Sequence, residues 1–232
     1  MAKKAKKDDD DQKVEERVEA GVKAGIEKRR RILEDKLDRQ EIAERRVVLK
    51  GLAPIMFDRY PGDNKTELEW YQKLYLAMDG KTICLPALNI MSFLSARNTT
   101  SAPKRLLDAR HYITVCNACL SSVVIVPTMI PFMRDGAPIE LHEIKKDRDP
   151  VSGVQLHIAT ARLEKGVPNP KKRPVLPLPW SLEFDLDIIP PCEITEQQVR
   201  FLFEVGGRAI GFGTFRGVFG KFMVEAWEPR SK

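Results

Sequence analysis

Strand, helix, strands, strand, helix, strand: this order, legible along the sequence, predicts an α+β domain. It is the split βαβ, ferredoxin-like (RRM-like) order, a βαββαβ core with insertions in its first half. Three observations carry the expectation. Trp180, Leu182, Phe184, Leu186 and Ile188 alternate with Ser181, Glu183, Asp185 and Asp187, which is a strand with one face in a core. Val199, Leu202, Phe203, Gly206 and Ile210 mark one helix face behind the capping box Thr195-Glu196-Gln197-Gln198. Charge is concentrated at one end: residues 1–46 hold 28 of the 72 charged side chains in a 232-residue chain. A normal domain, residues 46–232, is therefore expected behind a charged, partly helical arm, residues 1–45, with a central insertion at about 97–179.

The elements follow in order. Residues 1–13 carry only Met1 and two alanines as apolar groups and can bury little. Val14, Val18, Val22, Ile26, Leu33 and Leu37 recur mostly four apart, a helix signal whose stripe is too thin to close a core. Val47 to Leu49 begins the first strand. Thr66-Glu67-Leu68-Glu69 reads as a capping box opening a short helix to Met78, ended by Asp79-Gly80. Thr82 to Leu85 is a short strand. Pro86 then opens a helix whose Leu88, Ile90, Met91, Phe93 and Leu94 are apolar nearly all round, so it should be buried. The β-branched run from His111 to Val126 reads as one or two strands, and Arg134-Asp135-Gly136 as a turn. Leu156, Ile158 and Thr160 alternate with polar neighbours. Residues 166–179 hold five prolines and read as an extended connector. Phe222, Val224 and Ala226 form the closing strand.

Composition excludes several function classes. No run of 18 apolar residues exists, so no membrane span and no membrane partner is expected. The N-terminus is rich in Lys and Asp rather than apolar, unlike a secretory signal. Four cysteines, Cys84, Cys116, Cys119 and Cys192, lie in or beside apolar stretches and form no dense framework, which suggests a reducing cytoplasm. The net charge of +6 favours polyanionic partners mildly.

No catalytic set, metal site or cofactor site is predicted. His111, His142 and His157 are scattered. Cys116 and Cys119 are half a zinc site with no second half. Asp147/Asp149 and Asp185/Asp187 are acidic pairs, the latter on the solvent side of a strand. The most informative stretch is Gly211-Phe212-Gly213-Thr214-Phe215-Arg216-Gly217-Val218-Phe219-Gly220, followed by Lys221. Its glycines permit positive φ and close approach by another backbone. Phe215 could stack on a base while Arg216 pairs with phosphate. The plainer alternative is a tight helix-to-strand crossover whose phenylalanines are core. It is no dinucleotide fingerprint, because it follows a helix and precedes a strand. Two further stretches could hold phosphates by charge and hydrogen bond: Ser95 to Arg110, with Arg97, Lys104, Arg105 and Arg110, and Lys171-Lys172-Arg173. Either could equally be a solvated loop.

The helix, G-x-G-rich loop and closing strand resemble the RAMP superfamily, the RNA-binding subunits of CRISPR effector complexes. Val47-Val48-Leu49-Lys50-Gly51-Leu52-Ala53-Pro54-Ile55 is similar to the first strand of its guide-coating backbone subunits. Gly80-Lys81-Thr82-Ile83-Cys84-Leu85-Pro86 resembles their strand–Pro–helix entry. The last 55 residues also resemble phage and prophage proteins of this type. The likeness covers 47–57, 80–96 and 180–228. It implies a ferredoxin-like fold and non-catalytic binding of single-stranded RNA, or DNA, by a homo-oligomer or filament, within a larger ribonucleoprotein. Lys50, Arg97, Lys104, Arg105, Arg110, Lys171, Lys172, Arg173, Gly211, Gly213, Phe215, Arg216, Gly217, Gly220 and Lys221 are the expected contacts. A RAMP-like endoribonuclease and a phage assembly or recombination protein are the alternatives.

Overall fold

Alternation in the last third becomes the centre of a sheet. In the computed structural model the strands are β1 (Ala43–Gly51), β2 (Ile55–Met56), β3 (Cys84–Pro86), β4 (Val123–Val126), β5 (Met129–Arg134), β6 (Ala137–Pro138), β7 (Gln155–Arg162), β8 (Pro168–Leu176), β9 (Ser181–Ile188) and β10 (Phe222–Pro229). The helices are α1 (Ala87–Ser95), α2 (Lys104–Leu107), α3 (Tyr112–Ser122) and α4 (Glu196–Ala209). The structure describes residues 23, 25–28, 30, 42–63, 65–95, 103–107, 110–162, 168–190 and 193–230. The chain divides into two units, residues 1–42 and 43–232. In the first, residues 23, 25–28 and 30 are helical and exposed, Ile26 included, Ile42 is exposed and outside the helix, and the other apolar positions of the expected stripe lie outside the described residues.

The second unit is mixed α/β and all its strand pairs are antiparallel. The larger sheet runs β10-β1-β9-β5-β3, with β4 also paired to β9 and β6 to β5; a smaller sheet runs β2-β8-β7. Register follows apolar alternation, with Val47 opposite Phe184 and Leu49 opposite Leu182, all buried. Helices cover that face. Phe93 of α1 meets Phe203 of α4 at 5.9 Å between ring centroids, and Phe212 stacks on Phe222 at 4.3 Å. Each such fully buried ring contributes roughly 1.5–3 kcal/mol. A second aromatic row, Phe57, Phe132 and Trp180 in edge-on contacts near 5.5 Å, closes the other end of the core. Among the described residues no helix is long and apolar enough to cross a membrane.

Four expectations need correction. The helix from Thr66 to Met78 is a single 3-10 turn, Trp70–Lys73. Asp63 takes the Lys65 and Thr66 amides and the Thr66 hydroxyl into a turn, and the capping box falls three residues later at Glu69 and Gln72. Residues 112–122 form helix α3, not a strand. Helical spacing buries Cys116, Ala118, Cys119 and Ser122 on one face, and that burial outweighs the β-preference of Ile113, Thr114 and Val115. Helix α1 buries Ile90, Phe93 and Leu94, but Leu88 is 73% exposed. The proline-rich connector is itself strand β8, paired with β7 along its length and with β2 only at Val175 and Leu176. Its prolines therefore stand outside the doubly paired stretch, where a missing N–H costs little.

Candidate nucleic-acid interface

The glycine-rich crossover is built by α4 and the smaller sheet. Thr195 caps α4, accepting from the Gln198 amide while the Gln198 side chain accepts from Thr195. Helix α4 then buries Val199, Leu202, Phe203, Gly206 and Gly207. Gly206 is required by packing, since a Cβ there would lie 2.4 Å from Pro103. That close approach seats α2, and with it Lys104, against α4.

After Ile210 the loop is tied down by main chain. Gly217 N–H donates to Ile210 O (2.7 Å), Phe212 N–H to Gly220 O (3.0 Å), Gly220 N–H to Pro54 O (2.8 Å) and Thr214 N–H to Met56 O (3.0 Å). Gly211, Gly213, Gly217 and Gly220 all have positive φ. At Gly213 the backbone that approaches is the Met56 carbonyl of this chain, and at Gly220 it is the Phe212 carbonyl, 2.1 Å from where a Cβ would sit. The expected external approach at Gly213 is thus occupied internally. Gly217 alone of these four faces open space. Phe212 is core, Phe219 lies edge-on to His157, and Phe215 is 40% exposed at a φ of 52°.

Cations from three sequence regions gather at this loop. Lys104 is 0% exposed and its Nζ has no hydrogen-bond partner; Arg105 Nε is likewise buried and unpartnered. Both cations sit over the Tyr112 ring, at 5.8 and 4.6 Å from its centroid. Burial pulls the Lys104 ammonium below the ordinary lysine pKa, and the nearby Arg105 and Arg216 charges push it the same way. Burial also lowers Arg216, whose Nε donates to Gly213 O at 3.3 Å. On the other flank Arg173, 9% exposed, lies over the Phe215 ring at 5.0 Å. It pairs with Asp58 at 2.7 Å and leaves Nε and Nη1 buried without partners. Together these desolvated cations concentrate positive charge at the loop.

The remaining expected contacts lie elsewhere. Lys50 is on the outer face of the large sheet, 3.5 Å from Glu225. Lys171 and Lys172 line a groove beside Tyr60. Lys221 gives its carbonyl to the Leu52 and Ala53 amides. Arg110 is exposed, and Arg97 lies outside the described residues. Sequence reasoning missed Tyr112, because its stretch was read as strand, and Asp58, which carried no motif. Cys116 and Cys119 are buried free thiols; burial pushes Cys119 up to about 12. Among the described residues no group of three or more His, Cys, Asp or Glu side chains could hold a metal ion.

No family model matches the chain, and no curated protein does. Among solved structures it is similar to a chain of the cryo-EM structure of the Type III-B Cmr-beta bound to cognate target RNA. That likeness has 10% identity, a TM-score of 0.47 and covers 90% of this chain. This chain spans 66% of the length of that one.

Proposed function

We propose that this protein binds single-stranded nucleic acid, RNA ahead of DNA, without cutting it, as a subunit that repeats along the strand in the manner of CRISPR effector backbones. The observation that carries the proposal is the convergence of Lys104, Arg105 and Arg216 beside Gly217, with buried donors on Lys104 and Arg105 left unused. Charge and hydrogen bonds would hold phosphates there while Phe215 meets a base. The preference for RNA rests on the motif resemblance. A ferredoxin-like fold fits the sheet path β10-β1-β9-β4, with α1 between β1 and β4 and α4 between β9 and β10.

The test is titration of labelled mixed-sequence RNA and DNA at several salt concentrations, with the strand recovered intact. Each phosphate neutralised on a single strand adds roughly 0.7 to the log–log salt slope. Arg216→Ala should weaken binding about tenfold at moderate salt, since a charged hydrogen bond contributes roughly 1.5–3 kcal/mol. Absence of binding at the lowest salt would remove the proposal, and cleavage of hairpin RNA would replace it with the endoribonuclease.

A further inference from the structure

Strand β4 lies at a border of the large sheet. Among the described residues it pairs with β9 alone, so its other edge is open. On the side away from the helices it presents Val124 and Val126, 41% and 48% exposed. Two rows cross the strands there: Val124, Asp187 and Glu44, and Val126, Asp185, Arg46 and Glu228. Glu183 takes Arg46, while one guanidinium, Arg230, is shared by Glu44, Asp185 and Asp187. Counting Glu183, five carboxylates meet two cations beside an exposed apolar pair.

The complement of that surface is in the arm. Lys23 and Ile26 are helical and exposed, three residues apart and so on one face. Residues 23–31 hold five cations and one carboxylate. Ile26, Val124 and Val126 all remain exposed in the single chain, so a second copy is the occupant that satisfies both surfaces.

We infer that the arm helix of one protomer docks on the outer sheet face of the next at β4, with Ile26 over Val124 and Val126 and the basic segment 23–31 against Asp185, Asp187 and Glu44. The contact is heterologous, arm to sheet, so it passes from copy to copy rather than pairing like with like. It supplies the contact that a repeating subunit requires and rests on that reading for its purpose, but it needs no nucleic acid to form. Edge-to-edge pairing of two β4 strands would instead set two acidic surfaces side by side, which favours the arm.

The experiment is sedimentation velocity of the full chain over a range of concentrations, at low and high salt, without nucleic acid. Wild type should gain mass with concentration at low salt and lose that gain at high salt, because exposed charge pairs are screened. Lys23→Glu with Ile26→Asp, outside the body's core, should remain monomeric. So should Val124→Lys with Val126→Lys, charges that an open edge tolerates. Mixed one to one, the two variants should form a dimer and nothing longer, because one intact arm meets one intact face. Association that survives the arm variant but not the face variant would assign β4 to another segment and overturn the arm as its occupant. Survival in both variants, or no dimer in the mixture, would overturn the contact altogether. A monomeric wild type that still binds labelled RNA would overturn the contact and leave the nucleic-acid reading standing. Arm-dependent association with no RNA binding at the lowest salt would do the reverse.

Discussion

Lys104 is the residue whose placement carries most consequence. An ammonium taken wholly out of water without a hydrogen bond destabilises the fold, and cation–π contact with Tyr112 offsets only part of that. Lys104→Met keeps the volume and removes the charge. It should raise the melting temperature while weakening nucleic-acid binding. The sign with pH follows. The folded-state pKa is below the ordinary 10.5, so the unfolded chain holds the extra proton between the two values. The penalty is fully present below the folded value and fades as pH rises to 10.5 and beyond. The stability gap between Lys104→Met and wild type, read by denaturant titration, should therefore narrow as pH climbs through that window. A variant less stable than wild type at neutral pH would show that the ammonium is satisfied.

At the scale of elements, the loop separates internal from external demands on glycine. Gly220→Ala drives a Cβ into the Phe212 carbonyl, whereas Gly217→Ala meets only the left-handed backbone penalty of about 1–2 kcal/mol. Melting should fall a few degrees for Gly217→Ala and several times further for Gly220→Ala. Equal losses would mean that the loop repacks around a new side chain. The loop, α4 and β9 were legible because local patterns and burial agree there: Thr195 caps, Phe203 buries, and Leu182 to Ile188 alternate. Helix α3 was not, because Ile113-Thr114-Val115 favours a strand locally while Cys116 and Cys119 are drawn to the core on a helical period. The region 66–78 failed for a smaller reason, a turn at Asp63 that claims Thr66 before it can cap. Of the site, Arg216 and Phe215 could be named from glycine spacing. Their meeting with Lys104 and Arg173 depends on Pro103 docking at Gly206 and on β8 pairing with β7, which no local pattern encodes.

Across the second unit, charge is sorted by face. On the side of the large sheet away from the helices, Arg46 pairs with Glu183 at 2.5 Å, Lys50 with Glu225, and Arg230 with Glu44, Asp185 and Asp187. Five carboxylates there face three cations, a surface that repels phosphate. Assembly is a separate matter. The described part of the arm is an exposed helix carrying Ile26, and the body has its own core. Deleting residues 1–42 should leave one cooperative thermal transition and intact binding of a short strand, but reduce the oligomer seen by light scattering. Loss of the thermal transition would place the arm within the fold.

The bonds that shape the crossover run from amide to carbonyl, at Ile210, Phe212, Met56 and Pro54, and none needs a particular side chain at 215, 216 or 218. Val218 already projects outward, 69% exposed. The crossover is thus a display scaffold: its two outward positions, Phe215 and Val218, can be rewritten by mutation without redrafting the frame, or can mount a photoreactive amino acid that records what lies opposite.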